Sequence, residues 1–254
     1  MSADPSSLPK SESLERPVRE RADHPFWGAL DVAFMASLAL PALFVSALLV
    51  LGAMAAVPAW RTFRAGQVLA MQFLFWGIWF AALYALIRFR YRRRFWASLA
   101  WVRPPGGYGQ AVLLGALTAG IVIAGAVLLR PPQMSMPLLE LLKDPLSLAL
   151  VGFFAVTLGP VCEELAFRGF LLPWLARWIR PAPAVALTAV LFAVLHGPEY
   201  AWSWRHVVLI SIAGMAFGAV RLRTGSTAAA AVVHATYNLV FFAALVAQTG
   251  GRLP

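Results

Sequence analysis

The chain is poor in charge, and the charges that it has lie outside its long apolar stretches. Only 13% of its 254 residues are Asp, Glu, Lys or Arg, whereas a soluble domain has roughly 25%. Four stretches lack these residues altogether, and each is longer than the ~20 residues with which an apolar helix crosses a bilayer. These stretches are 32–57, 65–87, 104–129 and 224–251. The composition therefore excludes a soluble globular domain and indicates a membrane protein.

Shorter uncharged stretches at 145–162, 181–198 and 207–220 bring the number of candidate spans to about seven. Lipid offers no partners to backbone N–H and C=O groups, so each span must be a helix or a strand of a closed barrel. The stretches are apolar throughout and do not alternate, which argues against a barrel. We predict an all-α, polytopic transmembrane bundle of about seven spans. Residues 171–180 are predicted to form an interfacial helix, or an eighth span if they enter the bilayer.

Cysteine and long loops are also scarce. Cys162 is the only cysteine, which excludes an internal disulfide. The longest connection between spans has about 16 residues and has no room for a soluble domain. Residues 1–25 are polar and lack the apolar core of a signal peptide, so we expect a disordered cytoplasmic tail. The remainder, 26–254, is predicted to be one transmembrane domain.

Basic residues are more plentiful, and they give a formal net charge of +10. In a soluble protein this would suggest a nucleic-acid partner, but in a membrane protein Lys and Arg mark cytoplasmic loops. With the N-terminus inside and seven spans, the inside segments carry 15 of the 21 basic residues. We therefore predict a cytoplasmic N-terminus, a surrounding lipid bilayer and no nucleic-acid partner. Arginine outnumbers lysine 19 to 2, which favours a GC-rich bacterial genome and hence the bacterial inner membrane.

Acidic residues are the scarcest charges of the apolar region. After Asp31 only five remain, which are Glu140, Asp144, Glu163, Glu164 and Glu199. Carboxylates inside a membrane are costly and are functional candidates by default. Two of them stand side by side in "PVCEELAFRGF", residues 160–170, directly after an apolar run.

Helical spacing separates the roles of these adjacent glutamates. Residues four apart share a helix face, so Glu164 can pair with Arg168. Glu163 diverges by about 100° and points towards the face of Phe167. A carboxylate without a partner in a dry site has a raised pKa, which suits a general base near neutral pH. We therefore predict that Glu163 is catalytic and that Glu164 and Arg168 support the surrounding helix.

Two histidines and an asparagine extend the polar set. His196 ends the apolar run "AVLFAVLH", and His234 lies within the last span, four residues before Asn238. An imidazole and a side-chain amide can stabilise an oxyanion, and a carboxylate with an imidazole can activate water. No serine stands beside a histidine in the sequence, so the set favours hydrolysis by activated water.

Three motifs occur in order along the chain. "EELAFR" at 163–168 fits E-E-x-x-x-R, "FAVLH" at 192–196 fits F-x-x-x-H, and "HATYN" at 234–238 fits H-x-x-x-N. Over roughly 145–245 the chain resembles the CPBP family of intramembrane proteases, which includes type II CAAX prenyl proteases and Abi-like proteins. The resemblance implies a helical bundle with an active-site cavity inside the membrane, and endopeptidase activity on membrane proteins or peptides.

The resemblance also implies a role for each motif residue. Glu163 and His196 would activate the water, and His234 and Asn238 would line the oxyanion site. The supporting residues would be Glu164, Arg168 and Phe192. The alternative is a non-enzymatic membrane protein, such as a bacteriocin-immunity factor or a proton-coupled carrier that uses Glu163.

A catalytic metal is a further alternative. Glu163, His196 and His234 could supply three protein ligands to zinc or another divalent metal. The H-E-x-x-H spacing of many zinc peptidases is absent, and Asn238, on the face of His234, is a better hydrogen-bond donor than zinc ligand. We therefore expect no required cofactor, with metal dependence as the alternative.

Overall fold

The computed structural model describes residues 24–132 and 144–248. The tail predicted for 1–25 lies outside the described residues except for its last two. Within the described ranges every regular element is helical, as the all-α prediction requires. The α-helices are α1 (Ala29–Ala56), α2 (Arg64–Ala85), α3 (Phe95–Ser98), α4 (Gly109–Leu129), α5 (Pro145–Val156), α6 (Leu158–Glu164), α7 (Leu172–Ile179), α8 (Pro181–Leu195), α9 (Trp204–Thr224) and α10 (Thr227–Gln248). Short 3₁₀-helices, Pro58–Arg61 and Gly197–Tyr200, and two π-helical turns, Leu86–Arg90 and Leu165–Leu171, complete the set.

Six of the helical segments are long and apolar enough to cross a membrane, and α8 is a shorter apolar helix of 15 residues. The six are α1, Arg64–Arg90, α4, Pro145–Ile179, α9 and α10. The outer surface is apolar, since Leu30, Leu40 and Leu128 are each more than 75% exposed. The predicted polytopic membrane bundle is therefore confirmed.

Glycines bring α8 and α9 into close contact. In lipid the hydrophobic effect does not drive helices together, so small residues that allow backbones to approach become important. A Cβ atom on Gly214 would lie 3.1 Å from the Cα of Ala189, and one on Gly218 would lie 2.9 Å from Val185 Cγ1. The pair in "GMAFG" thus sets the separation of these two helices.

The two glutamates lie on one long helical run, Pro145–Ile179, which has two irregularities. Thr157, with φ −129° and ψ −80°, interrupts the helix between α5 and α6. The π-helical turn Leu165–Leu171 then leads directly into α7. Residues 172–179 form α7 as a direct continuation of this helix, so they do not form a separate eighth span, and their interfacial position stays a prediction. At 1.5 Å per residue the run is about 50 Å long, and Glu163 lies near its middle.

One end of the bundle collects the segments that are rich in arginine, and we call it the arginine-rich end. It is formed by residues 24–28, 88–103, 168–180 and 221–227. Hydrogen bonds that hold these segments together include His24 Nε2 with Ser98 O at 2.9 Å, Trp27 Nε1 to Phe170 O at 3.2 Å, and Thr227 Oγ1 to Leu99 O at 2.6 Å. The segments that the sequence places on one side of the membrane therefore meet at one end of the fold.

Candidate active site

The irregular part of the long helix presents two adjacent carboxylates to different surroundings. The side chain of Glu164 is fully buried, with 0% exposure, whereas that of Glu163 keeps 23% of its surface exposed. Stretches of π-helix are frequent at functional sites because the extra residue re-aims side chains. Here the π-helical turn begins immediately after Glu164 and carries Arg168. The environment of Glu163 is therefore more open than the dry site expected from the sequence.

Arg168 holds Glu164 in place inside the bundle. Its Nη1 donates to Glu164 Oε1 at 2.9 Å, the pairing that the four-residue spacing predicts, and its Nη2 donates to the carbonyl of Gly214 at 2.9 Å. The guanidinium carbon also lies 4.9 Å from the ring centroid of Phe192 and 5.4 Å from that of Phe217. Aromatic faces attract cations, most strongly where water is excluded. This shell leaves the side chain of Arg168 fully buried, with 0% exposure.

His234 reaches the same carboxylate from the last helix. Its Nδ1 lies 3.0 Å from Glu164 Oε1, and its ring stacks on Phe217 with centroids 4.5 Å apart. A carboxylate can only accept, so Nδ1 carries the hydrogen of this bond. The other ring nitrogen, Nε2, lies 3.8 Å from Glu163 Oε2, which is too long for a direct hydrogen bond. His234 therefore stands between the two glutamates, bound to the buried one and facing the open one.

His196 is oriented by its own helix. Its Nδ1 lies 2.8 Å from the carbonyl oxygen of Phe192, so Nδ1 is the donor and Nε2 is left available. The Phe192 ring lies 4.4 Å from the ring centroid of His196 and 5.7 Å from that of His234. Phe192 thus contacts both histidines and also faces Arg168. Its ring packs these three side chains together.

Asn238 bonds to the interrupted helix. Its Nδ2 donates to the carbonyl of Ala155 at 2.7 Å, two residues before the interruption at Thr157. An amide nitrogen carries two hydrogens, so this bond anchors the side chain and leaves one donor. Asn238 therefore fixes α10 against α5 and retains a hydrogen for a ligand.

Sequence reasoning assigned no role to Glu199 and Tyr200, which follow His196 in the 3₁₀-helix Gly197–Tyr200. The Glu199 amide donates to the His196 carbonyl at 3.1 Å. Desolvation raises the pKa of Glu199 although the residue keeps an exposed surface; nearby His196 opposes the shift and Glu163 adds to it. Burial, followed by the charges of Glu199 and Glu163, raises the pKa of Tyr200 to about 12. In the sequence, Glu199 could have been identified by its position three residues after His196, directly after a Gly-Pro pair.

The metal alternative requires Glu163, His196 and His234 to converge on one point. Across residues 24–132 and 144–248, no three His, Cys, Asp or Glu side chains come close enough together to hold a metal ion. Hydrogen bonds also occupy Nδ1 of both His196 and His234. The absence of a cofactor requirement stays a prediction.

The segment that contains the three motifs matches a known protein family. The family model described as Type II CAAX prenyl endopeptidase Rce1-like matches residues 145–240. This segment contains all three motifs, and the match confirms the resemblance drawn from them. No curated protein and no solved structure matches the chain.

Proposed function

We propose that this chain hydrolyses peptide bonds of membrane-associated proteins or peptides by activating water, a proposal supported by the match of residues 145–240 to the Rce1-like family model. The observation that carries the proposal is the asymmetry of the adjacent glutamates. Glu164 is sequestered by Arg168 and His234, whereas Glu163 remains partly exposed and faces His234 across 3.8 Å. The carboxylate of Glu164 therefore has a structural role, and that of Glu163 is available to accept a proton.

In the proposed reaction, the oxygen of a water molecule attacks the peptide carbonyl carbon and its proton passes to Glu163. His196 orients the water through Nε2, since its Nδ1 is bound to Phe192. The C–N bond then breaks, and the proton on Glu163 passes to the departing amine. Glu163 is thereby returned to its ionised form, and the products are an amine and a carboxylic acid, which then releases its remaining proton to water. A general base of this kind accelerates a reaction by typically 100- to 10,000-fold.

The oxyanion of the intermediate is proposed to lie between His234 and Asn238. Glu164 holds Nδ1 of His234, so Nε2 points into the space beside Glu163. With both ring nitrogens protonated, Nε2 donates to the oxyanion. The second amide hydrogen of Asn238 is the other donor. Donors that are fixed before the reaction stabilise developing charge without reorganising, and the bonds to Glu164 and Ala155 supply that fixation.

We also propose that the arginine-rich end faces the cytoplasm and that the protein resides in the bacterial inner membrane. Cytoplasmic flanks of membrane helices carry an excess of Lys and Arg. The joining of 24–28 with 88–103 and 168–180 supports placing these segments on one side. A reporter fused at the N-terminus is expected to be cytoplasmic, and a periplasmic reporter signal would reverse the orientation.

The test of the proposed function compares membranes of cells that produce the wild type or Glu163→Gln. Mass spectrometry of protein termini is expected to reveal new termini that only the wild type generates. Purified wild-type protein in lipid nanodiscs should then cleave peptides that cover those termini without any ion gradient. Farnesylated and unmodified CAAX peptides serve as probes of a preference for prenylated substrates. Absence of wild-type cleavage, together with Glu163-dependent ion or solute transport, would overturn the proposal in favour of a carrier.

A further inference from the structure

A groove of about 530 Å³ lies at the arginine-rich end, on the side of the fold formed by α2 and α3. Its lining includes Tyr84, Arg88, Arg94, Phe95, Trp96 and Trp101. Small-molecule sites usually measure roughly 300–1,000 Å³ and combine apolar walls with a few polar groups. None of the groove residues takes part in the proposed catalysis. The groove is therefore a candidate binding site for a ligand other than the peptide substrate.

Within the described part of the chain, two guanidinium groups of the groove have no carboxylate partner. Arg88 and Arg94 are exposed, and within residues 24–132 and 144–248 neither forms an ion pair. By contrast, the Nε of neighbouring Arg90 lies 3.7 Å from Asp31 Oδ1. Two free cations beside one concave surface attract an anion, and a guanidinium fork matches a phosphate group in particular.

The remaining wall of the groove is aromatic. Trp96 is 54% exposed and Tyr84 is 46% exposed, while Trp96 and Trp101 lie with ring centroids 5.9 Å apart. Tyr and Trp are enriched at the level of lipid headgroups because each has an apolar body and a polar edge. A free phosphate would leave this aromatic surface uncovered, whereas an acyl chain attached to the phosphate would cover it.

We propose that this groove binds an anionic glycerophospholipid, with its phosphate on Arg88 and Arg94 and the start of an acyl chain against the aromatic wall. Basic pockets between membrane helices on the cytoplasmic side bind anionic headgroups in the same way. The groove also adjoins the active-site helix, because Phe95 and Trp101 pack on the apolar cluster that contains Leu165 and Ala166. A bound lipid would therefore brace the π-helical turn that follows the two glutamates. The binding proposal does not depend on the proposed peptidase activity.

The experiment measures lipid binding to the purified full-length protein by native mass spectrometry in detergent. The ligands are dioleoyl phosphatidylglycerol, dioleoyl phosphatidylcholine and, as the headgroup without chains, glycerophosphoglycerol. The double variant Arg88→Gln/Arg94→Gln is compared with the control Arg92→Gln/Arg223→Gln, which removes equal charge from exposed positions at the same end outside the groove lining. We expect the groove variant to bind phosphatidylglycerol about 10- to 30-fold more weakly than the wild type, and the control variant to lose less than about threefold.

A second measurement uses the unaltered protein, so that it stands even if the groove variant does not fold. Arginines are modified with phenylglyoxal and quantified by peptide mass spectrometry. Phosphatidylglycerol, but not phosphatidylcholine, is expected to protect Arg88 and Arg94 while leaving Arg92 and Arg223 reactive. Equal protection of all four arginines, or equal loss of binding in both variants, would reduce the effect to general surface charge and overturn the proposal. Binding of glycerophosphoglycerol as tight as that of the lipid would overturn the lipid as the occupant.

Discussion

Glu163 and Glu164 are neighbours in sequence and of the same chemical type, yet the two faces of their helix treat them differently. The face of Glu164 is sealed, since the carboxylate is bound by Arg168 and His234 and has no exposed surface. The face of Glu163 is open, and its Oε2 lies 3.8 Å from His234 Nε2. Residue type alone therefore does not assign a catalytic carboxylate in a membrane. The partners that neighbouring helices bring to each face decide which carboxylate stays reactive.

The largest effect should come from the open face. Glu163→Gln keeps the size of the side chain and removes the proton acceptor, so kcat/KM for peptide cleavage should fall by about 100- to 10,000-fold. Unfolding free energy should change by no more than about 0.5 kcal/mol, as for substitutions without buried partners. The matched control is Cys162→Ala at the adjacent, partly buried position, which should retain activity within about threefold. A Glu163→Gln enzyme with near wild-type rates would remove Glu163 from the mechanism.

The sealed face should respond through stability. Glu164→Gln leaves Arg168 buried without its counter-charge, and breaking a buried pair in this way costs about 3–5 kcal/mol. Reversible unfolding in SDS, followed by circular dichroism, measures the loss. In the double variant Glu164→Leu/Arg168→Met both charges are gone, so most of the stability should return while cleavage remains impaired because His234 has lost its anchor. Equal stability of Glu163→Gln and Glu164→Gln would show that the two faces do not differ as described.

The packing behind the sealed face can be perturbed without touching a charge. A Cβ on Gly214 would lie 3.1 Å from both Ala189 Cα and Arg168 Nη2. Gly214→Ala should therefore cost about 1–3 kcal/mol, as overpacking typically does, and should lower activity by displacing Arg168. Gly120→Ala is the control, since nothing lies within 4 Å of its added Cβ. There the gain in helix propensity should stabilise the protein by about 0.5–1 kcal/mol. Equal destabilisation by both substitutions would refute a packing effect specific to Gly214.

The smallest effect should be a pH dependence of thermal stability that arises from Glu199, a residue close to His196 and Glu163. The folded-state pKa of Glu199 is raised by desolvation, so ionising Glu199 costs stability as pH rises from its ordinary value of about 4.3 through the raised value. Glu199→Gln should remove this loss, which we expect to shift Tm by less than about 3 °C.

Asp144 provides a control of opposite sign, because its bonds to Ser147 lower its pKa. The stability that Asp144 contributes is present above its ordinary pKa and is lost as pH falls. Thermal melts of Glu199→Gln and Asp144→Asn across this pH range should therefore diverge from the wild type in opposite directions.

Sequence reasoning was sufficient wherever a feature depends on spacing along one helix. Apolar stretches long enough to cross a bilayer as a helix identified the membrane bundle, because lipid forces backbone groups to pair within each span. The four-residue spacing likewise identified the contact of Glu164 with Arg168, which is present at 2.9 Å. The same rules did not show that a π-helical turn joins α6 directly to α7, because nothing in the local sequence pattern marks such a turn.

The contacts that distinguish the two glutamates lay beyond such rules. His234 meets Glu164 across 70 positions of sequence, and Asn238 meets Ala155 across 83. The sequence by itself determined the membrane class, the local pairing with Arg168 and the identity of the polar residues, because these follow from composition and from the fixed period of a helix. Only the tertiary structure showed that His234 and Gly214 complete the enclosure of Glu164 and Arg168, which nitrogen of each histidine is free and where the arginines form a groove. These features depend on how separate helices rotate and pack against one another, and no periodicity within a single helix encodes that rotation.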